Sequence, residues 1–210
     1  RCNALQKVRR TLYNRDVPTR PAFTAGNYYH LYNRGANRAA IFRERDNYVY
    51  VLHKVKQAVL DNHLTIIAYC LLPNHYHFLV RQDAELAAGH LAQEVFNGYS
   101  KAYNKRYGHS GTLFEGPYRV NLVDSQRYLL HLCRYIHANP VRHGLVGCLS
   151  EWPYSNYPEW TGTRQGELVD RQFIRDCFGS GEAYAQFVGD YLENRKLPAG
   201  LVRMLQELEA

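Results

Sequence analysis

Two short stretches of the chain carry residue types and spacings that could do chemistry. In Pro73-Asn74-His75-Tyr76-His77 the histidines alternate with a tyrosine, so on a strand both imidazoles leave one face while Tyr76 and Phe78 leave the other. Neighbouring imidazoles form half of a divalent-metal site. The competing reading is one hydrogen-bonded core histidine and one surface histidine, and a bare His-x-His does not decide between them. In Arg134-Tyr135-Ile136-His137-Ala138-Asn139-Pro140, Tyr135 and Asn139 share a helical face, with Tyr128 and His131 on the preceding turns. The stripe Leu129, Leu132, Cys133 and Ile136 is apolar and predicts the anchor to a sheet, which leaves Tyr135 and Asn139 displayed on the polar side. The competing readings are a rim tyrosine and an asparagine that ends the helix before Pro140.

Taken together, the pairs suggest one constellation. His75, His77 and the Asn139 amide oxygen are three neutral ligands for Mg²⁺ or Mn²⁺, with coordination positions left for water and phosphate oxygens. A phosphodiester held there would be polarised, and the Tyr135 phenol, whose ordinary pKa is about 10, would become a usable nucleophile beside a cation. Arg134 and Arg142 flank it and could offset phosphate charge. Tyr99 and Tyr103 are rival phenols on a basic helix, but neither is followed one turn later by a ligand-type amide.

The elements that must position these groups follow from periodicity. Asn27–Arg34 alternates bulky and polar residues and reads as a strand ended by Gly35. A helix is predicted from about Glu44 to Asn62, a buried strand over Leu64–Leu72 and a short strand over His75–Arg81. The tight Pro73-Asn74 link makes the last two antiparallel neighbours. A second helix spans about Ala84–Arg106. Thr112–Val123 reads as extended and broken at Gly116-Pro117, and a third helix capped by Ser125 reaches Asn139, because Pro140 cannot continue it. The pattern predicts an α+β fold: one antiparallel sheet with helices on one face. Glu151–Gly162 is a Pro- and aromatic-rich connector, followed by short helices at about 170–178 and 182–194.

Composition narrows the class. The 210 residues are 46% hydrophobic and 13% aromatic, ample for a packed core, and 26 Lys+Arg against 19 Asp+Glu give a net charge of +7. No apolar run is long enough to span a membrane. Five scattered cysteines without a CxxC pair argue for reduced thiols in a cytosolic protein and against a zinc ribbon. Since Arg1 opens the chain and Met204 is its single methionine, the natural start is expected upstream. Positive charge gathers in residues 1–20 and 101–147, where it interleaves with tyrosines as a surface for phosphates and bases would. Arg34, Arg38, Lys101, Lys105, Arg106, Arg119, Arg134 and Arg142 are the candidate nucleic-acid contacts; the alternative for each is a solvated basic face.

Five stretches, HLYNRGANRAAIF (30–42), AYCLLPNHYHFLV (68–80), YGHSGTLFEGPYR (107–119), YIHANPVRHGLV (135–146) and WPYSNY (152–157), occur in an order that resembles the HUH single-tyrosine transposases, in particular the REP-associated tyrosine transposase branch. The resemblance covers roughly residues 23–160. It implies a ferredoxin-like, RRM-like sheet carrying His75 and His77 as metal ligands, Tyr135 as nucleophile, and Asn139 as third ligand where other single-tyrosine transposases carry a glutamine. It also implies cleavage and rejoining of single-stranded DNA beside a REP-type hairpin through a 5′-phosphotyrosine link, with a divalent metal and no nucleotide cofactor. Tyr76 departs from the usual hydrophobic middle of the HUH motif, and the chain beyond about Trp160 matches only loosely.

The expected organisation is a basic arm (1–22), a catalytic domain (23–149) and an aromatic connector with a C-terminal helical extension (150–210). The expected protein is bacterial, cytoplasmic and nucleoid-associated, a monomer with a dimer as the alternative. Against the transposase reading stand a non-catalytic, domesticated module that binds nucleic-acid hairpins and a metalloenzyme acting on small phosphoesters.

Overall fold

In the computed structural model the described residues are 21–194; most of the basic arm and the last part of the C-terminal extension lie outside them. The chain runs β1 (Tyr28–Arg34), α1 (Arg45–Asp61), β2 (Leu64–Leu72), β3 (His75–Gln82), α2 (Gly89–Tyr107), β4 (Arg119–Val123) and α3 (Gln126–Arg142), then α4 (Tyr157–Trp160), α5 (Arg171–Phe178) and α6 (Gly181–Asn194). The strands form one sheet in the order β2-β3-β1-β4, every pair antiparallel. A β-α-β-β-α-β run with that order is the expected ferredoxin-like arrangement.

Alternation along the strands sorts the sheet into two faces. Tyr29 and Leu31 of β1 and Tyr76, Phe78 and Val80 of β3 pack with α1 and α2. Ala68, Cys70, Leu72 and Leu79 pack with α3 and the three helices after it. Helices therefore cover both faces, which corrects the one-face expectation. The physical reason lies in α3, which is buried almost all round from Leu132 to Pro140 and so must be sandwiched rather than laid on a surface. The β2 register slips by one residue between Ile66 and Ala68. This bulge turns both Ile67 and Ala68 toward the α3 side and brings Cys70 and Leu72 opposite His77 and His75.

Three further boundaries differ from expectation, each for a local reason. α2 begins at Gly89 rather than Ala84, because the Gln82 amide binds both Ala84 O and Ala88 N (2.9 and 3.0 Å) and holds the segment as a loop. The extended segment narrows to β4, since Gly116-Pro117 interrupts pairing; ahead of it Phe114 makes only an isolated bridge to Gly35. Finally, α3 does not stop at Asn139. Pro140 lies inside it, forfeiting only the N–H that would reach Ile136, while His143 N reaches Asn139 O and Leu145 N reaches Pro140 O at 2.9 Å each.

The aromatic connector protects an edge. Trp152 Nε1 donates to Leu71 O (3.0 Å), and Leu71 N donates to Tyr154 O (2.9 Å). The outer side of β2 is thus occupied by the chain's own backbone.

Candidate active site

The face of the sheet beneath α3 carries a cluster of rings. Register pairs Tyr32 with His77, Arg34 with His75 and Tyr32 with Arg119, so these side chains share that face with His30. Tyr76 and Phe78 go to the other side, as alternation predicts. The His75 and His77 centroids are 5.1 Å apart, and His30 stacks on both Tyr32 (4.7 Å) and His77 (5.2 Å). α3 completes the cluster from above: the Tyr135 ring meets His77 edge-on at 5.7 Å, and His143 meets His75 at 5.2 Å. A cavity of about 230 Å³ lies among them, lined by His75, His77, Tyr135, His143, Arg34 and Arg38 with Tyr32 and its neighbours.

The ring nitrogens can be followed one by one. His75 Nδ1 donates to Asn74 Oδ1 (2.7 Å), which leaves Nε2 as its lone-pair nitrogen. His77 Nδ1 lies 3.0 Å from His30 Nε2, while its Nε2 is buried without a hydrogen-bond partner. Burial holds the pKa of His75 down at about 3, helped by His143 and Arg34. Burial likewise pushes His77 well below the ordinary histidine value, helped by His30 and His75. Both imidazoles are therefore neutral near pH 7, the form in which histidine binds metal.

Asn139 is fully buried, not displayed on a polar side, and so is Tyr135 at 1% exposure; both corrections follow from the sandwiching of α3. The Asn139 amide donates to Tyr135 O (2.9 Å), whereas its Oδ1 has no partner. An unsatisfied buried polar atom costs roughly 1–3 kcal/mol. His77 Nε2 and Asn139 Oδ1 are two such atoms; an amide oxygen suits a hard divalent cation, and an imidazole lone pair a borderline one. Among the described residues no group of three or more His, Cys, Asp or Glu is arranged to hold a metal.

The candidate arginines and lysines divide by location. Arg34 and Arg38 line the cavity, with Arg34 paired to Glu115 (2.9 Å). Arg142 lies over the Tyr135 ring at 5.1 Å, and Arg119 is exposed on the same sheet face. Arg134 is placed differently. It is buried beneath α6 with its guanidinium over Phe187 (4.5 Å) and Tyr191 (4.9 Å), a packing position rather than a surface for phosphate. Lys101, Lys105 and Arg106 are on α2, across the sheet from the imidazoles, and Arg106 is engaged with Glu44 and Asp46.

The rival phenols are core residues of that other face. Tyr99 OH donates to Ile41 O, Tyr103 OH donates to Ala40 O (2.9 Å), and burial raises the Tyr99 pKa further from neutrality. Sequence reasoning missed His30, Tyr32 and His143. The first two carried a signal, since they alternate on one strand in HLYNR; His143 was hidden behind Pro140.

A family model described as "Transposase IS200 like" matches residues 24–139, more than half of the chain. The chain belongs to the IS200-like transposase family. It is 28% identical over 102 residues to a Haemophilus influenzae protein whose provisional name is REP-associated tyrosine transposase. That match spans 43% of this chain and 57% of the relative, so the chain spans little more than half the length of the curated protein it matches. Among solved structures, a REP-associated tyrosine transposase bound to a REP hairpin shares the fold, with a TM-score of 0.57 and 19% identity over 72% of this chain and 92% of that one. Among the described residues, no helix is long and apolar enough to cross a membrane.

Proposed function

We propose that the chain is a single-stranded DNA endonuclease and strand transferase acting beside REP-type hairpins, with Tyr135 as the nucleophile and His75, His77 and Asn139 as ligands of Mg²⁺ or Mn²⁺. The observation that carries this reading is the contact of the Tyr135 ring with the His77 imidazole across one cavity. Support for the substrate class comes from the relative named a REP-associated tyrosine transposase and from the structural neighbour bound to a REP hairpin.

The chemistry is transesterification. Tyr135 Oη attacks phosphorus, the bond from phosphorus to the 3′ oxygen breaks, and that oxygen leaves as a 3′-OH after taking a proton. The product is a 5′-phosphotyrosine, and attack by another 3′-OH reverses the step and releases the phenol. His75, His77 and Asn139 would hold a divalent cation, which would supply Lewis-acid polarisation of the phosphate. Arg34 and Arg38 in the cavity wall, and Arg142 over the phenol, place positive charge where the bridging phosphate gathers negative charge. Arg119 extends that charge along the sheet face. The protein acts in the bacterial cytoplasm at the nucleoid, as a monomer whose one chain supplies both halves of the site.

An RRM-type binding module would read bases on an open sheet. Here helices cover both faces, which speaks against an open-sheet reader; a domesticated hairpin-binding module would keep this same fold, and cleavage is what separates it from the transposase. The test uses labelled single-stranded hairpin DNA with Mg²⁺ or Mn²⁺ and a denaturing gel. A covalent adduct is expected, absent in Tyr135→Phe while hairpin binding stays within a few-fold. An adduct that survives in Tyr135→Phe, or binding without cleavage in either metal, refutes the assignment.

A further inference from the structure

We propose that His30 is a positioning residue for the site: it accepts the Nδ1 proton of His77 and thereby keeps His77 Nε2 as a lone pair directed to a bound divalent cation. The inference rests on the reading of His77 as a metal ligand.

The contact is a buried one between adjacent strands. His30 is fully buried on β1, and its Nε2 lies 3.0 Å from His77 Nδ1 on β3. One of the two nitrogens must donate, and the two choices have opposite consequences. If His30 Nε2 carries the hydrogen, His77 Nδ1 accepts, and the remaining His77 hydrogen sits on Nε2, where it is buried without a partner and blocks a metal. If His77 Nδ1 carries it, His77 Nε2 is a bare lone pair, and the orphaned hydrogen moves to His30 Nδ1, which is likewise buried and unpartnered. Without a cation the choices are nearly balanced, each leaving one buried N–H unsatisfied. A cation on His77 Nε2 satisfies that atom in the second arrangement alone, so it selects the tautomer that donates to His30.

The ring is held in place for this task. Tyr32 stacks on His30 at 4.7 Å with planes 22° apart, and the same stack continues to His77 at 5.2 Å and 22°. An apolar side chain would fill this buried position but leave His77 Nδ1 without its partner. The imidazole is therefore explained by what it does to His77 and not by packing, in the way outer-shell partners orient metal-bound histidines elsewhere.

The experiment uses the full chain with Mn²⁺ as probe, by titration calorimetry, alongside long-range ¹H–¹⁵N correlation of the histidine rings in the metal-free and Mg²⁺-loaded protein. His30→Leu is expected to weaken Mn²⁺ binding roughly 10- to 100-fold. His30→Gln, whose amide oxygen can accept from Nδ1–H, is expected to stay within about threefold of the parent. In the parent protein Mg²⁺ should drive His77 to the Nδ1–H tautomer, and in His30→Leu that preference should weaken. Urea unfolding of each variant shows that it is folded at the assay temperature. Equal Mn²⁺ affinity in folded His30→Leu and parent, or a His77 that keeps its hydrogen on Nε2 in the Mg²⁺-loaded parent, overturns the proposal. Should His30→Leu not fold, the His30→Gln titration and the parent spectrum still decide it. A parent protein that binds no Mn²⁺ while retaining its fold refutes the metal reading of His77 itself, and with it the role of His30. That outcome is distinct from intact binding that ignores residue 30.

Discussion

His77 and His137 are both buried imidazoles on the same side of the sheet, and burial lowers the pKa of each. They differ in their nitrogens. His137 has both in use: Nε2 donates to Asn156 Oδ1 (2.8 Å), and Nδ1 accepts from Tyr184 OH (2.6 Å). Asn156 is saturated in turn, accepting from Tyr69 N (2.8 Å) and donating to Ile67 O and Leu168 O (2.9 and 3.0 Å). That region ties α3, the connector and α6 to the edge of β2, and nothing in it remains to meet a ligand. Around His77, by contrast, His77 Nε2 has no partner and a cavity lies beside the ring, and Asn139 Oδ1 on α3 is likewise unpartnered. A buried histidine with two partners is architecture, whereas one with a single partner facing a cavity is equipped for chemistry.

The largest effects should separate these two histidines by different measurements. His77→Ala is expected to reduce covalent adduct formation at least about 10³-fold, because Lewis-acid stabilisation worth several kcal/mol is lost. His137→Leu should instead leave adduct formation per folded molecule near the parent level. It strands the Tyr184 hydroxyl in the core and should lower unfolding stability by about 1–3 kcal/mol in urea titrations. A His137→Leu protein that is stable yet inactive would erase the distinction. Asn156→Ala goes further in the same direction, since one change unpairs Tyr69 N on β2, Leu168 O ahead of α5 and His137 Nε2 together; a loss of about 3 kcal/mol or more is expected.

Why the sequence separates some of these residues and not others is itself physical. The strands, the hairpin at Pro73-Asn74 and the opposed directions of His75/His77 and Tyr76/Phe78 were legible because strand alternation is local. So was the pairing of Tyr135 with Asn139, which depends on one helical turn. What was not legible depends on a third body. Arg134 and Arg142 look alike beside Tyr135, and only the position of α6 sends the first under Phe187 and the second over the phenol. His30 reaches His77 through the register of β1 on β3, which no local pattern reveals. His143 reaches His75 because α3 survives Pro140 for a further turn, against the rule that proline ends a helix. The all-round burial of α3 was missed for the same reason: its covering helices lie in the part of the chain where the family motifs fade.

A smaller effect is expected where β1 leaves the sheet beside Arg34. A Cβ on Gly35 would lie 2.1 Å from Ala39 O and 2.9 Å from the Ile41 side chain. Backbone must shift to admit it, so Gly35→Ala should destabilise by about 1–3 kcal/mol. Because Ile41 N and Phe42 N also hold Pro73 O at 2.7 and 2.9 Å, the same strain is transmitted to the hairpin before His75. Lowered Mn²⁺ affinity together with lowered stability would show that the two are linked. A purely thermal effect would confine Gly35 to the fold.

The mildest change tests the opposite face, where phenols are structural. Tyr99→Phe removes a hydroxyl that donates to Ile41 O, deep between α2 and the loop after β1. The ring still packs on Phe42 and Phe96, so the change removes one hydrogen bond and little else, about 1 kcal/mol of stability. Adduct formation with hairpin DNA should be unchanged, because the sheet lies between this phenol and the imidazoles. If Tyr99→Phe abolished the adduct with its fold intact, the nucleophile would have to be sought on the wrong side of the sheet from His75 and His77. No rotation of a side chain could bridge that separation, and the convergence of Tyr135 on the histidines would then be packing alone.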